Sequence, residues 1–255
     1  MEVKDRVVVV TGAASGIGKA LAEAFHAAGA SKVVCADLDG AGARATAAAL
    51  DGVGHGLDVR DEAAVAALIA KVEAEVGPIG VFCSNAGIIH DGGLEVENAA
   101  WTAEWEVHVM AHVYAARHVA PLMAGRGEGW LLNTASAAGL LNHTGSAVYA
   151  ATKHAAVGLA EWISIAWKDR GVGVSVLCPQ AVVSGMTAGR GGGVASMDGM
   201  MEAAPVAEAC LQAIRDERFL VLPHPEVLDY MRNKTNDYDR WLGGMRKLWR
   251  KFSAA

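Results

Sequence analysis

Tyr149 and Lys153 stand four residues apart in YAATK, and Ser136 lies thirteen residues before the tyrosine. These three side chains could together move a proton to or from a carbonyl or hydroxyl oxygen. If the segment from about residue 147 is helical, positions 149 and 153 fall one turn apart on one face. A phenol that titrates near ~10 is a poor proton shuttle at neutral pH. An ammonium one turn away favours the phenolate and is expected to pull that value down toward the working range. Ser136, ending a strand that points at the same cleft, could hydrogen-bond the reacting oxygen. The set has a proton donor, its tuner and a polariser, but no redox agent. A Tyr and Lys at this spacing also occur by chance on surface helices, so the pair needs a second motif.

The second motif lies in the first forty residues. Residues 6–10 are an apolar run closed by TGAASGIG, and an amphipathic helix is expected from Gly16 to about residue 29. Strand, glycine turn and helix are the context of a phosphate-cradling loop. Gly12 allows the tight turn, while Gly16 and Gly18 allow close approach of a pyrophosphate and of helix to strand. Ser15 can offer a hydroxyl to phosphate or ribose, and Ile17 belongs to the same turn. A second strand, 32–36, ends in Asp37, followed by Leu38. Asp37 lies nineteen residues after Gly18, the separation expected of a carboxylate that binds adenosine ribose hydroxyls. It would repel a 2′-phosphate, and neither Ala13 nor Ala14 offers a compensating charge, so NAD is favoured over NADP. The other reading of Asp37 is a helix N-cap for the segment after Gly40, which Asp39 would serve equally well.

Two further strand–helix units follow: 53–57, ending at Asp58-Val59, with Asp61 capping a helix to about residue 76, and 79–83, ending at Asn85-Ala86-Gly87. The alternation predicts an α/β fold, a doubly wound parallel sheet with helices on both faces and ligands beyond the carboxyl ends of its strands. Asp58, Asn85 and Ser136 all fall at such ends. The chain has 255 residues, 53% hydrophobic, and a formal net charge of −6. That suits one Rossmann-type domain over 1–255, and it argues against nucleic acid, which requires a basic face. The apolar runs are too short to span a bilayer, and the first residues do not read as a signal peptide. Cys35, Cys83, Cys178 and Cys210 show no paired spacing, which fits a reducing, cytoplasmic setting.

TGAASGIG, Asp37, LDV at 57–59, NAG at 85–87, Ser136 and YAATK at 149–153 occur in the order and spacing of a short-chain dehydrogenase/reductase. The chain resembles that family over roughly residues 5 to 187. The resemblance implies NAD(P)-dependent oxidation of an alcohol or reduction of a ketone. It makes Tyr149 the general acid/base, with Lys153 lowering its pKa and holding the nicotinamide ribose, and Ser136 orienting the substrate oxygen. Asp58 and Val59 would flank the adenine, Asn85, Ala86 and Gly87 would shape the cofactor floor, and Pro179, Val182 and Ser184 would contact the nicotinamide end. Ala138, Gln180 and Met186 are the further substrate candidates.

Departures from the family pattern are informative. His108 occupies the position of an asparagine that helps hold a water linking the lysine to solvent. It could preserve a polar relay through a ring nitrogen, or it could be a buried, hydrogen-bonded histidine. His108 and His112 are one helical turn apart, but no third ligand accompanies them, so no metal site is expected. Gln180 follows Pro179 where the family has glycine, and Ala135 stands where a second serine is frequent.

Residues 185–204 are rich in glycine and methionine and read as a substrate lid or, alternatively, a surface loop. A lid of that kind suits a hydrophobic secondary alcohol or ketone. The final strand is expected at 219–222. A helical extension follows at about 224–252, where Tyr238, Trp241, Leu242, Met245, Leu248, Trp249 and Phe252 recur at helical spacing beside a basic face. That stripe is expected against its own domain or a partner subunit, with an anionic membrane surface as the alternative. Small residues crowd 147–160, and the family pairs subunits across this helix and the one near 105–123. A homo-oligomer, tetramer or dimer, is expected. Two rival functions stay open: an NAD-binding sensor without catalysis, and an epimerase or lyase using the same acid/base set.

Overall fold

The structure, a computed structural model, describes residues 1–187 and 193–253. Seven strands form one parallel sheet in the order β3-β2-β1-β4-β5-β6-β7. They are β1 (Val7–Thr11), β2 (Lys32–Asp37), β3 (Val53–Gly56), β4 (Ile79–Ser84), β5 (Gly129–Thr134), β6 (Val172–Leu177) and β7 (Leu220–Val221). Every residue of β1, β4, β5 and β6 is buried. A sheet covered on both faces needs apolar side chains on both, so these strands read as continuous hydrophobic runs rather than alternating ones.

One face carries α1 (Gly16–Ala27), α2 (Gly40–Ala48) and α8 (Ala203–Arg215), whose Leu21, Phe25, Cys210 and Ile214 pack with Val8, Val10 and Leu132. The other carries α3 (Glu62–Glu75), α5 (Ala111–Arg126) and α7 (Ala147–Trp167), whose Ile69, Val119 and Ile163 pack with Phe82, Leu131 and Val174. The chain winds outward from β1 to β3, then returns to start β4 on the other side of β1. The strand order therefore reverses between β1 and β4, and a crevice opens there beyond the strand ends.

Three stretches differ from the sequence expectation. The helix expected near 105–123 begins earlier, as α4 (Asn98–Trp105), and runs into α5 through a π-helical turn at Glu106–Met110. Of the expected lid, 188–192, which include Gly189, Gly191 and Gly192, lie outside the described residues. The remainder has a 3₁₀ turn at Val194–Ser196 and a parallel bridge between Val182 and Met201, and its last two residues belong to α8. The extension is two helices, α9 (Glu226–Asn236) and α10 (Tyr238–Ser253), with α9 packed on the short α6 (Ala138–Leu141). Among the described residues, no helix is long and apolar enough to cross a membrane.

Candidate active site

The crevice at the switch point is a cleft of about 970 Å³. The glycine turn forms its floor at one end. Gly12 has φ +69°, and a Cβ there would sit 2.9 Å from the Cα of Ala86; a Cβ on Gly18 would sit 2.0 Å from the carbonyl oxygen of Gly12. Only glycine lets α1 and the turn close so tightly on β1 and on the loop after β4. Ser15 is the N-cap of α1, yet its hydroxyl caps nothing, which leaves both it and the first-turn N–H groups to face the cleft.

Asp37 ends β2 and accepts hydrogen bonds from the N–H groups of Ala14 and Asp39, each at 2.9 Å. It thereby ties the glycine turn to the second strand. The N-cap role belongs to Asp39, whose carboxylate accepts from Ala41 and Gly42 at the start of α2. Asp58 also lines the cleft, but Arg60 forks onto it through Nε and a terminal nitrogen, holding the Asp58 carboxyl below the usual range.

At the rim, side chains stitch three strand ends together. Thr11 Oγ1 donates to the Cys83 carbonyl and accepts from the N–H groups of Asn85 and Ala86. The Asn85 amide donates to the Thr11 carbonyl and accepts from Thr134 Oγ1 at 3.1 Å. The Thr134 carbonyl in turn accepts from Lys153 Nζ at 3.0 Å. Position and hydrogen-bond geometry of the lysine are thus set by β5, while α7 supplies its backbone.

Ser146 caps α7 by accepting from the Tyr149 N–H at 3.1 Å, and its own hydrogen goes to the His90 carbonyl at 2.6 Å. Tyr149 and Lys153 follow one turn apart, with Nζ 5.5 Å from the centre of the phenol ring. Ser136 Oγ accepts from the Ala138 N–H at 3.1 Å. Burial pushes the Tyr149 phenol up to about 12, against a lowering contribution from Ser136. Burial also pushes the Lys153 ammonium down to about 8. In the protein alone, desolvation therefore outweighs the tuning expected from the lysine.

His108 sits in the π-helical turn, fully buried. A backbone N–H can only donate, so Nε2 accepts from Ile88 at 3.2 Å and Nδ1 carries the proton, given to Thr152 Oγ1 at 2.9 Å. Thr152 spends its hydrogen on the Val148 carbonyl at 3.0 Å. Burial, then Lys153, hold the imidazole well below its ordinary pKa, and it is neutral. The residue is thus buried and hydrogen-bonded through both ring nitrogens. His112 is buried with both ring nitrogens unpartnered and is pushed down to about 3 by burial and by Lys153. Among the described residues, no three His, Cys, Asp or Glu side chains converge as a metal site.

Residues 6–192 match the short chain dehydrogenase family. The chain belongs to the short-chain dehydrogenase/reductase family. It is 36% identical over 250 residues to the 1-deoxy-11-beta-hydroxypentalenate dehydrogenase of Streptomyces exfoliatus, covering 93% of this chain and 90% of that one. The enzyme of the same name from Streptomyces arenae is 35% identical over 254 residues, covering 93% and 89%. A solved short-chain dehydrogenase/reductase from Burkholderia phymatum, in complex with NAD, superposes with a TM-score of 0.84 at 31% identity, covering 94% of this chain and 96% of that one.

All the residues put forward for the cofactor of this dehydrogenase line the one cleft: Gly12, Ser15, Gly16, Ile17 and Gly18 in the turn, Asp37 and Leu38 after β2, and Asp58 and Val59 after β3. Asn85, Ala86 and Gly87 line it after β4, and Tyr149, Lys153, Pro179, Val182 and Ser184 line its other end. Met186 lines the same cleft, whereas His108 does not. Ala138 lines a second cavity of about 600 Å³, which shares Ser136 and Gln180 with the first.

Sequence reasoning missed the buried Glu104, which accepts from the N–H and Nδ1 of His90. It also missed Arg60, His143 and Asp198. His143 packs edge-on against Tyr149 with ring centres 5.8 Å apart. Glu104 and Asp198 find their partners 14 to 32 residues away, where no local pattern marks them, whereas Arg60 sits two residues from Asp58 and His143 six from Tyr149.

Proposed function

We propose that the protein is an NAD-dependent dehydrogenase interconverting a hydrophobic secondary alcohol and its ketone, its whole length serving as one dinucleotide-binding domain. The observation that carries this is a single cleft lined at one end by the Gly12–Gly18 turn with Asp37, and at the other by Ser136, Tyr149 and Lys153. The residues fit the dinucleotide: side-chain-free glycines at the turn, an uncapped serine hydroxyl, and an acid placed for ribose hydroxyls. When bound, NAD supplies the hydride acceptor at its nicotinamide ring.

The protein's own residues manage the proton and the oxygen. Ser136 Oγ hydrogen-bonds the substrate oxygen, and Tyr149 Oη takes the hydroxyl proton as the alcohol carbon gives up its hydride. Reduction runs the same steps backwards. Lys153, fixed by the Thr134 carbonyl, places positive charge beside the phenol and would hold the nicotinamide ribose of a bound dinucleotide. His108 is a positioning residue, joining the Ile88 loop to the first turns of α7 through Thr152. Asp37 favours NAD over NADP by repelling a 2′-phosphate. The named Streptomyces relatives, dehydrogenases of a hydroxy compound, support the reaction type.

The test is NADH formation from a panel of alicyclic, aryl and steroid secondary alcohols, run with NAD and with NADP. NADH is expected with at least one class, and Tyr149→Phe should lower turnover by about 10²–10⁴-fold while NAD affinity changes little. Near-normal turnover in that variant would sink the acid/base assignment. Binding without turnover across the panel would indicate a sensor, and turnover without net NADH an epimerase.

A further inference from the structure

The second cavity shares Ser136, His143, Gln180, Val194 and Ala195 with the cofactor cleft, and the rest of it is walled by α6, α9 and α10. Its surface is mostly apolar: Leu141, Met197, Trp241, Met245 and Leu248 contribute. In the part not shared with the cofactor cleft, α10 brings Arg240 and Lys247 to the wall, with Asn233 and Asn236 of α9 beside them. Arg and Lys are donors only. Among the described residues, neither cation pairs with a carboxylate.

Two acids line the same cavity, and both are engaged. Asp198 accepts from Tyr230 Oη at 3.0 Å and from the Gln180 amide at 2.9 Å, and Asp237 accepts from the N–H of Arg240 in the first turn of α10. Both acids keep their charge, since their donors are neutral, but each is already hydrogen-bonded. Among the described residues, the charged donors of this wall left without a carboxylate partner are those of Arg240 and Lys247. Residues 240, 244 and 247 lie on one helical face, and the middle one is Gly244, also on the cavity wall. A Cβ there would meet nothing within 4 Å. A glycine inside a helix lowers its stability, and packing does not call for this one. Its effect is to leave a gap between the two cations.

We infer that the substrate is an apolar, ring-sized alcohol carrying a carboxylate, with its hydroxyl at Ser136 and its carboxylate between Arg240 and Lys247 of α10. This rests on the dehydrogenase reading of the site and adds the polarity of the molecule it takes. A guanidinium and an ammonium on the exposed part of a largely apolar wall favour an anion over the neutral molecule of the same shape, because a carboxylate accepts charge-assisted hydrogen bonds that an ester receives only weakly.

The experiment compares 4-hydroxycyclohexylacetate and a bicyclic hydroxydecalin carboxylate with their methyl esters as substrates in the presence of NAD. The native protein is expected to prefer the acids in kcat/KM, through KM. In the Arg240→Gln/Lys247→Gln double variant this preference should fall about tenfold, and raising the salt to about 0.5 M should erode it in the native protein. The salt arm needs no variant to fold. Equal or better oxidation of the esters, or a preference that survives both salt and the double substitution, overturns the inference while leaving the dehydrogenase reading intact. Failure to oxidise any secondary alcohol, charged or neutral, overturns both.

Discussion

Lys153 is nearly inaccessible, and among the described residues its hydrogen-bond partner is a carbonyl oxygen. Burial holds its pKa at about 8, against ~10.4 for an unfolded chain. Between those values the unfolded state holds the extra proton, so stability rises with pH there; below about 8 both states are charged and the desolvation cost is felt in full. Lys153→Met should therefore abolish turnover yet stabilise the fold by about 1–3 kcal/mol near pH 7, with the gain fading toward pH ~10. Urea unfolding at the two pH values measures it, and a gain that is the same at both would refute the buried-charge account. Ser136, Tyr149 and Lys153 were readable in the sequence because the chemistry demands those types at fixed spacing. Glu104 was not: in a helix a glutamate ordinarily faces water, and only the fold brings His90 over it.

At the level of elements, the strands were legible because a doubly covered sheet makes continuous apolar runs ended by turn residues. The helical extension expected at about 224–252 was legible too, but not its division into α9 and α10, since α9 is largely polar and buries only Val227. The stripe on α10 was visible, but not what it faces: Trp241, Met245 and Leu248 line the second cavity, while Tyr238, Leu242 and Trp249 are exposed. One wall of that cavity is tied together through Asp198. It links the segment after residue 193 to Tyr230 on α9 and to Gln180 after β6, and the backbone of Ala181, Val183, Ala195 and Met201 adds further hydrogen bonds. Removing the carboxylate in Asp198→Ala should cost local stability of about 1 kcal/mol, speeding amide exchange over 193–201 roughly fivefold. Tyr230→Phe removes one of the two links and should give a smaller acceleration. Unchanged exchange in Asp198→Ala would mean that the backbone bonds alone hold the segment.

For the whole molecule, the outer surface of the α4, α5 and α7 layer is unusual. Trp105, Leu122, Trp162 and Ile165 all present apolar area there, and Ile165 is 81% exposed. α7 packs against both α4 and α5, so the helices that carry these side chains form one layer of the fold. Exposed single hydrophobes are ordinary, but a contiguous apolar face marks an association surface. We propose that two copies of the chain meet through it, as the small residues of α7 and the family resemblance suggested. A stable interface should bury at least ~1,000 Å² in total, which these helices can supply only across a face of several turns each. Ile165→Lys would set a charge at the centre of such a contact, and two-fold symmetry would bring that charge in twice. Sedimentation velocity at micromolar concentration should then show the native chain as a dimer or tetramer and the variant shifted to a smaller species, with the native chain's thermal unfolding dependent on protein concentration and the variant's less so. A native chain that sediments as a monomer, or an Ile165→Lys variant that stays fully assembled, would place the subunit contact elsewhere or nowhere on this layer.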